Sequence, residues 1–81
     1  MNFQIVKLPT LLKTYCISRS TAFTQINEGL LPPSISLGQR SKGFIVSELD
    51  AVLSARIAGK SDEEIRGLVK SLIAKRKETI Q

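Results

Sequence analysis

Apolar and polar residues alternate along this chain in short runs whose spacing changes at each turn-forming residue. Phe3-Gln4-Ile5-Val6 alternates weakly, as a short strand or an anchored arm does. Pro9 and Thr10 then announce a helix, with Thr10 as cap and Leu11, Leu12 and Tyr15 as the apolar face. After about one and a half turns, Cys16-Ile17 makes a turn and Ser18 caps a second helix over residues 19–27. Gly29 closes it, since glycine takes the left-handed conformation of a helix end without steric cost. Ala22 and Ile26, four apart, share its inner face, which leaves Arg19, Ser20, Thr24 and Asn27 on the others. Leu11, Leu12, Tyr15, Ile17, Ala22 and Ile26 are enough to join the two helices as a helix-turn-helix.

The double proline Pro32-Pro33 ends any helix and sends the chain outward. Ser34-Ile35-Ser36-Leu37 alternates, Gly38 to Gly43 is polar, and Phe44-Ile45-Val46 is again β-prone, so a hairpin is expected with Arg40 and Lys42 at its tip. Ser47-Glu48-Leu49-Asp50 has the grammar of a capped helix start, with acids facing the positive end of the dipole. Leu49, Val52, Leu53 and Ile57 are expected to pack that helix onto the core, and Gly59 to end it. Ser61-Asp62-Glu63-Glu64 repeats the same grammar and opens a last helix. Its stripe of Ile65, Leu68, Val69, Leu72, Ile73 and Ile80 must be covered, and Lys75-Arg76-Lys77 gives it a basic end. The elements up to Gly59 already make a compact unit, so two segments are expected. Residues 1–60 form a winged helix-turn-helix, and residues 61–81 an amphipathic helix whose Ile65, Leu68, Val69, Leu72 and Ile73 either close over the domain or, the favoured reading, meet a second copy or another partner.

Composition narrows the function. Eighty-one residues, 42% hydrophobic and 23% charged, make one small globular domain. A cytoplasmic location is expected, because no apolar run approaches membrane-spanning length and no leader pattern opens the chain. Cys16 is the lone cysteine and histidine is absent, which excludes an internal disulfide and a zinc site built of cysteine and histidine. Nucleophilic catalysis lacks a positioned base, and the carboxylates are explained by helix capping. No enzyme activity and no metal or other cofactor is expected.

Charge changes the picture more. The chain carries +5, but unevenly. Residues 1–46 hold Lys7, Lys13, Arg19, Arg40 and Lys42 against Glu28 alone, whereas residues 47–81 hold seven basic groups against six acidic ones. A nearly acid-free basic half containing a polar, capped helix is the electrostatic footprint of a polyanion partner. The candidate contacts with double-stranded DNA are Arg19, Ser20, Thr21, Thr24 and Asn27 on the second helix and Arg40 and Lys42 on the wing. Phe23 either touches a thymine methyl or packs into the core, and partial core packing is the favoured expectation.

With those residues in view, residues 8–53 resemble the AlpA-type phage regulators, relatives of excisionases and of the DNA-binding domain of MerR-type regulators. The matching pieces are Leu8-Pro9, Ser18-Arg19-Ser20-Thr21, Ile26, Glu28-Gly29, Pro32, Leu37-Gly38, Arg40, Gly43, Ser47-Glu48 and Asp50-Ala51, in register and without gaps. The resemblance implies a winged helix-turn-helix of mixed α+β class, mostly helical with one small hairpin. It also implies an activator or recombination directionality factor, with the second helix in the major groove and Arg40 on the backbone. Cys16 stands where members commonly carry glycine, Phe23 and Thr24 where tyrosine and arginine are usual, and Phe44 and Val52 where tryptophan is. Three functions stay open at this point. One is a phage-type transcriptional regulator, with RNA polymerase as a partner. The second is an excisionase working with an integrase. The third is a protein-interaction module using the apolar stripe over residues 61–80.

Overall fold

The computed structural model describes residues 4–79; Phe3 and Ile80, expected in the first strand and the last stripe, lie outside the described residues. The elements follow in the order β1 (Ile5–Val6), α1 (Leu8–Tyr15), α2 (Arg19–Asn27), β2 (Ile35–Gly38), β3 (Ser41–Ile45), α3 (Val46–Ile57) and α4 (Asp62–Thr79). The fold is α+β: four helices around a three-stranded antiparallel sheet of order β1-β3-β2. Leu11, Ala22, Leu30, Leu31, Phe44, Leu49, Val52, Ile65 and Val69 form the core. Among the described residues no helix is long and apolar enough to cross a membrane.

Helix ends are written by local rules. α2 ends with Leu30 N–H bonded to the Gln25 carbonyl and Gly29 N–H to that of Ile26, the paired bonds of a Schellman cap around a left-handed residue. α1 ends the same way, with Ile17 N–H on Leu12 and Cys16 N–H on Lys13, so Cys16 sits in the turn, exposed, at φ 56°. α4 opens with a reciprocal capping box: Ser61 Oγ accepts from Glu64 N–H at 3.2 Å, and the Glu64 carboxylate accepts from Ser61 N–H at 3.0 Å. The Ser61 amide first, then the Ser61 hydroxyl and the nearby Lys60 charge, hold the Glu64 carboxyl below its usual range. In the sheet, β1 comes so close to β3 that a Cβ on Gly43 would collide with the Ile5 side chain and lie 3.0 Å from Leu37 Cδ1.

Three expectations about the helices are corrected. Thr10 does not cap α1; the helix begins earlier, its first turn hung on the Lys7 carbonyl, because Pro9 has no N–H to satisfy there. Ser47 does not cap α3 either. The strand runs straight into the helix, and the free N–H of Val46 finds the Gln4 carbonyl at 2.9 Å instead. Glu48 stands in the first turn of α3, as expected, and has a second role there. It is 5% exposed and grips Arg76 with both oxygens, at 2.6 and 2.7 Å. Ile57 is 79% exposed, because α3 buries Glu48, Leu49 and Val52 with Ala55 beside them, and Ile57 lies two residues, about 200°, further round.

Most of the stripe on α4 turns inward, with Ile73 left 38% exposed. Ile65 and Val69 are 0% and 2% exposed within the same chain, with Leu68 and Leu72 packed beside them. Ile65 and Val69, expected at a homodimer or partner contact, are thus closed off by α4 folding back on α3. Each such burial contributes about 1.5–3 kcal/mol.

Candidate nucleic-acid interface

α2 is anchored at its start by a hydroxyl cluster. Ser18 Oγ accepts from the Thr21 amide at 3.2 Å and donates to Thr21 Oγ1 at 2.9 Å, with Ser20 Oγ at 3.3 Å. The first turn contains no acid. Free N–H groups, the positive end of the helix dipole and Arg19 coincide there, a combination that favours an anion. Ala22 is the one fully buried residue of α2, with Ile26 half-buried behind it.

Two rows of exposed side chains run along the outside. Arg19, Phe23 and Asn27 follow one another at four-residue spacing, and so do Ser20, Thr24 and Glu28. Thr24 and Asn27 are exposed, as expected; Phe23 is 47% exposed, against the expectation of core packing. Ala22 and Ile26 take the core side, and a residue next to Ala22 is turned about 100° away from it.

The row of Ser20 and Thr24 borders an open cleft of about 380 Å³, completed by Thr21, Gln25, Glu28 and Leu30, by Arg56 near the end of α3 and by Asp62 at the start of α4. Arg56 holds Asp62 at 3.4 Å, with the two side chains 35% and 58% exposed. An exposed pair of that length is worth about 0–1 kcal/mol, and the arginine can exchange it for another anion. Arg56 is a residue that sequence reasoning missed; only the fold sets it opposite Ser20 and Thr24.

The hairpin closes through Gln39 and Arg40, between Gly38 at φ 135° and Ser41. Arg40 stands at the tip, exposed, in a left-handed conformation (φ 58°). Lys42 does not share the tip. It pairs with Ser36 in the ladder and is exposed. Lys42 and Phe44, two apart, share one face of the sheet, and at Phe44 that face is covered by the core containing Ala22. Lys42 thus projects on the side of the hairpin that faces the helices. Next to the hairpin tip, Lys7 Nζ donates to Ser41 Oγ at 2.8 Å. Arg76, expected to belong to a basic tail, points away from solvent phosphate altogether, since Glu48 and the Pro33 carbonyl occupy it.

The profile of the family described as prophage CP4-57 regulatory protein (AlpA) matches residues 4–57. The chain belongs to the AlpA family. A relative, the uncharacterized protein ORF88 of Enterobacteria phage P4, is 33% identical over 57 residues, which span 70% of this chain and 65% of that protein. No solved structure matches the chain. The AlpA match begins at β1 and stops with α3, so the helix that completes the core, α4, lies beyond it.

Proposed function

We propose that this AlpA-family chain is a regulator of a prophage or other mobile element that acts in the cytoplasm by binding double-stranded DNA as a winged helix-turn-helix. The observation that carries the reading is α2 itself: a capped helix that buries little more than Ala22 and leaves Arg19, Ser20, Thr21, Thr24 and Asn27 exposed, in a chain whose hairpin bears exposed Arg40 and Lys42. α2 enters the major groove. Arg19 and the free N–H groups of the first turn take a phosphate, while Ser20, Thr21, Thr24 and Asn27 meet base edges. Phe23 lies against thymine methyl groups, the apolar feature that the major groove offers. Arg40 and Lys42 hold the neighbouring backbone, and Arg56 takes a phosphate across the cleft.

Four cations on phosphate give a log–log salt slope of about −3 to −4. Footprinting on DNA upstream of the chain's own gene, followed by titration at several salt concentrations, tests both halves. Arg19→Ala should weaken specific binding about tenfold or more. A salt-independent isotherm, or an Arg19→Ala chain that binds as the parent does, would overturn the reading. Transcription control and excision use the same surface. We favour transcription control, with RNA polymerase the partner; stimulation of excision by the neighbouring integrase would identify an excisionase instead. The spacing of protected sites reports whether one copy or two bind.

A further inference from the structure

The segment between α2 and β2 joins the proposed reading helix to the proposed wing, and α4 grips it at both ends. At the first end, Arg66 Nε donates to the Glu28 carbonyl at 2.8 Å. That carbonyl belongs to the helix end, where backbone acceptors lack intrahelical partners. The Arg66 stem lies over Gly29, its Cγ 3.6 Å from where a Cβ would stand. At the other end, Arg76 donates to the Pro33 carbonyl at 2.8 Å. Arg76 is itself fixed by the two-pronged grip of buried Glu48. Between the two ends Leu30, Leu31 and Pro32 are buried. Arg66 and Arg76 stand ten residues apart on one helix, about 15 Å, which is close to the reach of the five-residue span from Glu28 to Pro33.

We infer that α4 is a brace, and that Arg66 and Arg76 are positioning residues that set the recognition helix at a fixed distance and angle from the wing. Charged guanidinium donors on backbone carbonyls are among the stronger hydrogen bonds, and a rigid helix carrying both cannot let the two ends drift independently. Two contact elements held in register beforehand spare binding the cost of ordering them. The brace comes from α4, beyond the segment that the AlpA family profile covers. Its consequence for DNA rests on the reading proposed above, but its geometry does not.

The test separates the two. Nitroxide labels at Asn27→Cys and Arg40→Cys, in a Cys16→Ser background, report the distance from α2 to the hairpin tip by pulsed electron resonance. The distribution should be single and narrow in the parent and broadened in Arg66→Met, which keeps the stem but loses the donor. In the unlabelled chain, Arg66→Met should bind DNA about tenfold more weakly with an unchanged salt slope, since the lost cation touches no phosphate. If Arg66→Met does not fold, Arg66→Ala takes its place, a strong helix former that also lacks both the charge and the Nε donor, and the same results are expected. An unchanged distance distribution overturns the brace. A salt slope lower by about one also overturns it, because Arg66 would then be a direct phosphate contact. Broadening in a chain whose parent binds no DNA upholds the brace and overturns only the DNA reading.

Discussion

The α3–α4 hairpin is tied at each end by an arginine and a carboxylate, and the two ties differ in everything except their chemistry. At the start of α3, Glu48 is 5% exposed and meets Arg76 through two bonds of 2.6 and 2.7 Å. At its end, Arg56 meets Asp62 through one contact of 3.4 Å, with Asp62 58% exposed. The first tie is largely shut away from water, its side chains 21% and 7% exposed, so each partner leans on the other; the second is solvated, and either partner can leave. The closed tie belongs to the proposed brace, and the open one borders the cleft lined by Ser20 and Thr24. Burial, rather than residue type, decides which arginine is structure and which is free to meet a ligand.

The largest expected effect breaks the closed tie. Glu48→Ala leaves the Arg76 charge uncompensated and should cost about 3–5 kcal/mol of unfolding free energy, read from the urea midpoint. The paired change Glu48→Leu with Arg76→Met should recover most of that loss, because an apolar pair needs no partner charges. A cost below about 1 kcal/mol for Glu48→Ala would put this tie in the same class as the other.

A smaller effect comes from a third tie to α3, which is neutral. Tyr15 donates its hydroxyl to the Leu49 carbonyl at 2.7 Å. Burial first, then the nearby Asp50 carboxylate, pushes its pKa up from 10.0 to about 12, with Arg56 pulling weakly the other way. The unfolded chain therefore loses the phenolic proton before the folded one does. The stability linked to Tyr15 is whole below pH 10.0 and is lost as the pH rises through about 12. Tyr15 is the one tyrosine and tryptophan is absent, so tyrosinate absorbance follows this group directly. Tyr15→Phe should remove that alkaline step and cost about 1 kcal/mol at neutral pH.

The smallest stability change belongs to the open tie. Asp62→Asn should shift the unfolding midpoint by no more than about 0.5 kcal/mol. It should also tighten DNA binding several-fold at low salt by freeing Arg56 and removing a carboxylate from the cleft, with the gain fading as salt rises. Weaker binding by Asp62→Asn would mean that Arg56 needs its partner, and would erase the functional contrast between the two ties.

What the sequence determined by itself is whatever acts within about five residues along the backbone. The Ser18 cap and Gly29 bound α2 where the pattern placed it; the Ser61–Glu64 box opens α4; the glycines and alternating residues between Pro33 and Ile45 make the hairpin. The same local rules misplaced the starts of α1 and α3, because Pro9 needs no donor partner and Val46 finds one on Gln4, across the sheet. Tertiary structure alone decided the rest. Glu48 satisfies a rule for helix starts, and nothing near it in sequence names Arg76, which is 28 residues away, or ties Arg76 to Pro33, 43 residues away. The outward turn of Phe23, the inward turn of Ile65 and Val69 and the place of Arg56 opposite Thr24 likewise follow from how whole helices pack. Periodicity shows that a helix has an apolar side, but only packing shows what that side meets, and so what the other side is left to do.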